Sequence, residues 1–167
     1  MAQNIYDTPE FFESYSRLDR QARGLDGAPE WPALRGLLPD MRGKRLLDLG
    51  CGFGWVARGA MTQGAVSVLG VDLSENMLAR ARAETADFHV HYLKADLESF
   101  ELPQDTFDVA FSSLALHYVE DLPRLVGQVF RSLASPGHFV FSIEHPIYGV
   151  DEARMAGDRR RRQDLAG

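Results

Sequence analysis

Cysteine is nearly absent: Cys51 is the single one in 167 residues. That excludes an internal disulfide and a CxxC metal pair, and makes a reducing cytoplasm the simplest compartment. Long hydrophobic runs are missing too. No stretch approaches the roughly 18 apolar residues that cross a bilayer, and Asp7 and Glu10 stand where an export signal would be basic and then apolar. Neither export nor membrane anchoring is expected. Positive charge is short, 18 Lys and Arg against 24 Asp and Glu, and the net charge of −6 disfavours general affinity for nucleic acid or anionic membrane. There is no GxSxG elbow, so Ser112 and Ser113 read as loop residues and not as nucleophiles. Apolar side chains are plentiful at 45%, which suits one domain with a sizeable core.

The chain is organised around Arg45-Leu46-Leu47-Asp48-Leu49-Gly50-Cys51-Gly52-Phe53-Gly54. A short apolar run bounded by glycine predicts a buried strand, and Trp55 to Arg58 can open a helix after the turn. Glycines let backbone approach a ligand that a Cβ would hold off, and the following helix start offers free N–H groups. The ligand therefore belongs at the carboxyl end of this strand. Gly52-Phe53-Gly54-Trp55-Val56-Ala57 also fits the dinucleotide pattern G-x-G-x-x-G/A, so glycine spacing alone leaves NAD open. Asp48 argues against it: an acid just before the turn repels a pyrophosphate and attracts a cation or an amine. S-adenosylmethionine, with a sulfonium and an ammonium beside one carboxylate, has the matching charge.

Leu47-Asp48-Leu49-Gly50-Cys51-Gly52-Phe53-Gly54 resembles the first motif of the class I S-adenosylmethionine-dependent methyltransferases, most like the small-molecule and ubiquinone-biosynthesis-type branch. Val68-Leu69-Gly70-Val71-Asp72-Leu73-Ser74, Leu93-Lys94-Ala95-Asp96-Leu97 and Phe107-Asp108-Val109-Ala110-Phe111-Ser112-Ser113 continue the resemblance in order. It implies a three-layer α/β Rossmann-like fold with parallel strands ordered 3-2-1-4-5. It also implies a cofactor-binding set of Asp48, Gly50, Cys51 and Gly52 at the turn, Asp72, Leu73 and Met77 after the second strand, Asp96 and Leu97 after the third, and Ser112 after the fourth. S-adenosylhomocysteine is the product and a small molecule the methyl acceptor. Within the set, Asp72 stands about twenty residues after the turn, the spacing at which an acid reaches two ribose hydroxyls. Asp96 matches the acid that accepts from the adenine amine, with Leu97 packed on the ring. Cys51 reads as a small residue suited to the turn.

The resemblance implies a helical lid or appendage over 1–40 and the Rossmann-like domain over 41–149, and the composition beyond it reads as a charged tail over 150–167. Thr8-Pro9-Glu10 predicts a helix start, with Phe11, Phe12, Tyr15 and Leu18 near one face. Tyr15 and Arg20 are lid candidates for cofactor contact, or else a packed ring and a solvated charge. A second short helix is expected over 29–38. Further strands are expected over 66–71, 88–93, 107–111 and 138–143, and a helix over 75–85 capped by Ser74. His89 and His91 would share a strand face, a pair read as unmetallated because no third ligand is near. His117, past the fourth strand, is a candidate for substrate contact or proton removal, or a structural histidine. His145, in the loop Glu144-His145-Pro146-Ile147-Tyr148, is the second candidate base. Leu122, Leu125, Val126, Val129, Phe130 and Leu133 predict an amphipathic helix whose stripe lies on the sheet, ended by Ser135-Pro136-Gly137.

The family's terminal antiparallel hairpin has no counterpart, and Arg159-Arg160-Arg161-Arg162 sits in a stretch that reads as solvated or disordered. The fifth strand is then expected to be a sheet edge, through which a homodimer could form. Two rival readings stand beside the enzyme: a truncated domain that binds S-adenosylmethionine or its product without turnover, and an NAD-dependent dehydrogenase supported only by the glycine pattern.

Overall fold

The computed structural model describes residues 5–144. His145, the rest of its loop and the tail expected over 150–167 lie outside the described residues.

Among the described residues five strands form one parallel sheet: β1 (Arg45–Leu49), β2 (Ser67–Asp72), β3 (Val90–Lys94), β4 (Phe107–Ser113) and β5 (Leu133–Ser142). Their order is β3-β2-β1-β4-β5, as the motifs imply. Six helices accompany them: α1 (Pro9–Ser16), α2 (Asp19–Ala22), α3 (Trp31–Leu37), α4 (Trp55–Thr62), α5 (Glu75–Glu84) and α6 (Leu122–Ser132). β1 explains the layering. Because successive side chains point to opposite faces, Leu46 joins a core with Trp31, Leu34, Ala57, Ala60, Val109 and Phe111. Leu47 and Leu49 join another with Val71, Ala110, Leu125 and Val129. Burying each such leucine contributes about 1.5–3 kcal/mol, so both faces of β1 hold the layers together. β2 and β4 flank β1, so the chain winds outward in both directions from this strand and opens a crevice at its carboxyl end.

Several boundaries differ from the sequence expectation. The N-terminal helix ends at Ser16, so Leu18 stands before α2 and is exposed. β3 starts at Val90, because the Asp87 carboxylate accepts from the His89 backbone N–H at 2.9 Å and makes a turn there; His89 and His91 therefore do not share a strand. β4 continues two residues past Phe111, where Ser112 and Ser113 pair with Phe141 and Ser142. β5 begins directly after α6. Ser135-Pro136-Gly137 is absorbed inside it, with a register shift opposite Phe107 and Val109, as a proline is tolerated at a bulge. α6 is capped by Asp121, which accepts from the Arg124 backbone N–H at 3.1 Å. Its stripe is narrower than expected: Leu125 and Val129 are buried while Val126 and Phe130 are exposed. No described helix is long and apolar enough to cross a membrane.

Candidate functional site

The crevice at the carboxyl ends of β1, β2 and β4 contains a cavity of about 560 Å³, a size that suits a small-molecule ligand. Its floor is the turn after β1. Gly50, Gly52 and Gly54 all have positive φ, at 73°, 51° and 73°, a conformation that side chains with a Cβ rarely adopt. A Cβ on Gly54 would lie 2.1 Å from the Tyr92 hydroxyl, so α4 can start here only from glycine. The Gly50 and Cys51 N–H groups both donate to the Val71 carbonyl, at 2.8 and 3.1 Å, which ties the turn to the end of β2.

Asp72 is the last residue of β2. One carboxylate oxygen accepts from the Gly52 N–H at 2.8 Å and the other from the Ser74 N–H at 2.9 Å. Burial raises its carboxyl above the ordinary range, against the opposing pull of those backbone donors. Asp48, 2% exposed, is less well served: its Oδ2 has no hydrogen-bond partner. Burial first, and the charge of Asp72 second, push its carboxyl up to about 7. Cys51 is buried beside them, and burial pushes its thiol well up; it fills the turn as a small residue and has little thiolate to offer.

Asp96 and Leu97 follow β3 on the same cavity, and the Asp96 carboxylate fixes its loop by accepting from the Glu98 N–H at 3.0 Å. Leu73 and Met77 line it from the start of α5, whose cap is Ser74: the hydroxyl accepts from the Met77 N–H at 3.2 Å. Tyr15 and Arg20 line it from α1 and α2. Arg20 pairs with Glu30.

Two expected residues are displaced. Ser112 does not line the cavity; as an inner residue of the lengthened β4 it is fully buried, and its hydroxyl donates to the Leu49 carbonyl at 2.8 Å. The cavity instead meets Ser113. His117 lies in a short 3-10 turn, Leu116–Tyr118, and is not among the lining residues: its Nδ1 accepts from the Glu144 N–H at 3.5 Å, and its Nε2 lies 3.9 Å from the Glu144 carboxylate. Tyr118 takes the cavity position.

The roof contains residues that sequence reasoning missed. Tyr6 donates to the Tyr118 hydroxyl at 3.1 Å and meets the Tyr15 ring edge-to-face at 5.2 Å. Asp7 accepts from the Asn76 N–H at 3.1 Å and from the Ser74 hydroxyl, so the N-terminal segment is fastened over the start of α5. Gln21, Glu30, Trp31 and Trp55 complete the wall. Gln21 Oε1 and Trp55 Nε1, like Asp48 Oδ2, are buried without a partner. A cationic amine beside Asp48 would satisfy its oxygen, and hydroxyls beside Asp72 would meet a fixed acceptor, so the donor set fits the ligand that the first motif suggests.

Residues 47–141 match the family described as methyltransferase domain. The crystal structure of an S-adenosylmethionine dependent methyltransferase from Mesorhizobium loti is 62% identical with a TM-score of 0.73, the match covering 75% of this chain and 58% of that one. A malonyl-acyl-carrier-protein O-methyltransferase from Enterobacter lignolyticus is 37% identical over 110 residues, 66% of this chain and 43% of its own length. An uncharacterized protein of Haemophilus influenzae is 39% identical over 151 residues, 86% of this chain and 59% of its own. The chain thus spans about half the length of the relatives it matches.

Proposed function

This chain belongs to the methyltransferase-domain family of S-adenosylmethionine-dependent enzymes, and from that premise we propose that its cavity holds S-adenosylmethionine for in-line methyl transfer to a small molecule. The observation that carries the reading is the buried, unpartnered Asp48 oxygen beside the glycine turn. A buried acceptor of this kind is costly until a donor arrives, and the cofactor's ammonium is a donor of the right charge. Asp72 would take the ribose hydroxyls, Asp96 the adenine amine, and Leu97 and Met77 the faces of the base. Arg20 is the cation available to the cofactor's carboxylate, with Tyr15 closing over it.

When bound, the cofactor supplies a methyl group on a positively charged sulfur that is electrophilic without further activation. The protein has chiefly to hold donor and acceptor in line and to exclude water, effects worth about 7–11 kcal/mol. Tyr6, Tyr15 and Tyr118 form a roof suited to that exclusion. A general base would add roughly 10² to 10⁴-fold where the acceptor must lose a proton. His117 is not among the residues that line the cavity, and His145, outside the described residues, is the other candidate for that optional role. Relatives named malonyl-acyl-carrier-protein O-methyltransferase and phosphoethanolamine N-methyltransferase favour a small or carrier-borne acceptor without deciding between oxygen and nitrogen.

Calorimetric titration with S-adenosylmethionine, S-adenosylhomocysteine and NAD tests the reading. The first two are expected to bind and NAD to fail. Asp72→Ala should weaken S-adenosylhomocysteine about tenfold or more, the worth of a hydrogen bond to a charged group, with the circular dichroism spectrum unchanged. Wild-type affinity in that variant would remove Asp72 from the site, and tighter binding of NAD would reverse the cofactor assignment. Firm binding with no methylated product from a broad acceptor panel would favour a binding domain without turnover.

A further inference from the structure

The cavity contains more negative charge than the cofactor reading uses. Among the described residues that line it, Arg20 is the only Lys or Arg, against six carboxylates: Glu30, Asp48, Asp72, Asp96, Glu98 and Glu120. Asp48, Asp72 and Asp96 are assigned to the cofactor. Glu98 is occupied by the backbone N–H groups of Glu120 and Asp121.

Glu30 is placed differently. It stands at the start of α3 with its side chain 24% exposed, and its carboxylate pairs with Arg20. It also accepts from the Ser113 hydroxyl at 3.1 Å, which in turn accepts from the Ser142 hydroxyl at 3.2 Å. The carboxylate is thereby held at the carboxyl ends of β4 and β5. Trp31, the next residue, lines the same cavity, as does Tyr118. Close by in sequence, Gln21 is 6% exposed, and its Oε1 is a second acceptor on the cavity with no donor.

We propose that Glu30 determines acceptor specificity and selects a small molecule carrying an amine, held as an ammonium or N–H donor between Glu30, Gln21 and the rings of Trp31 and Tyr118. The proposal rests on the cofactor reading. When the cofactor's carboxylate draws on Arg20, Glu30 loses the one cation that pairs with it among the described residues while remaining largely shielded from water. A carboxylate stripped of its partner in such a place is destabilised, and an amine replaces what is lost. Ring faces stabilise the same charge. An anionic acceptor would meet Glu30 and Glu120 with no free cation among the described lining residues to offset them.

The test compares phenethylamine with 3-phenylpropionate, which share a ring and chain length but differ in charge, by calorimetry on the full chain saturated with S-adenosylhomocysteine. The amine is expected to bind about tenfold more tightly or better, with less preference when S-adenosylhomocysteine is omitted. Glu30→Gln should erase the preference. A carboxylate that binds as well as the amine, or a preference that survives Glu30→Gln, overturns the proposal. Should that variant fail to fold, Arg20→Gln serves: with its competitor gone, Glu30 should prefer the amine even without S-adenosylhomocysteine, and a preference still requiring it overturns the proposal. Failure of the wild type to bind S-adenosylhomocysteine defeats the cofactor reading and this proposal together, whereas normal binding without amine preference defeats this proposal alone.

Discussion

Asp48 carries a conflict between folding and binding. Its folded-state carboxyl titrates near 7 where the ordinary value is 3.8, so between those values the native state binds a proton that the unfolded chain has released. Linkage then makes stability fall as pH rises from about 4 to about 7, with the full cost present above 7. Asp48→Asn should relieve it: we predict a melting temperature at pH 8 raised by about 2–4 °C for each kcal/mol recovered, with S-adenosylhomocysteine binding weakened about tenfold or more. An unchanged melting temperature with wild-type affinity would show that the carboxylate is neither strained nor used. The position of Asp48 was legible because a strand end followed by glycines is local information, and Asp72 was legible from its spacing. Ser112 was misplaced because the strand was expected to end at Phe111. Two further ladder positions turn Ser112 to a buried bond and bring Ser113 to the cavity. Glu30 and Tyr6 were invisible, since their partners Ser113 and Tyr118 lie 83 and 112 residues away.

At the level of elements, α5 has two caps. Ser74 is its own, and Asp7 reaches it from the N-terminal segment, a carboxylate placed where the helix dipole favours negative charge. The contact fastens the roof beside Asp72 and Met77. We predict that Asp7→Ala releases S-adenosylhomocysteine about 3- to 10-fold faster, in line with the loss of roughly 1 kcal/mol from a cap, measured by stopped-flow displacement. An unchanged release rate would mean that the roof does not gate the ligand. The Ser74 cap was readable in sequence and the Asp7 contact was not, because only the first is local. The same distinction explains α6 and β5. Their periodicity and residue types were plain, but the share of the α6 stripe that is covered depends on neighbours, and an irregular strand accepted the proline and glycine that looked like a break.

At the scale of the molecule, strand order and the location of the crevice follow from motif order and the outward winding from β1. These were the most legible features of all, because the motifs mark each strand end locally and their resemblance to a known family implies the order of the strands. The roof was the least legible, and that has a consequence for how the protein is made. Synthesis runs from the amino end, and domains begin to organise as the chain emerges, yet the bonds that tie Tyr6 to Tyr118 and Glu30 to Ser113 must wait for β4 and the turn after it to be translated. The described N-terminal segment is thus among the last to settle, and until then the apolar faces of α1 and α3 are open to chaperones or to wrong partners. Pulse-labelled hydrogen exchange during refolding should find α1 amides protected together with β4 or after it. Protection of α1 ahead of β4 would show that the roof organises without the sheet it covers.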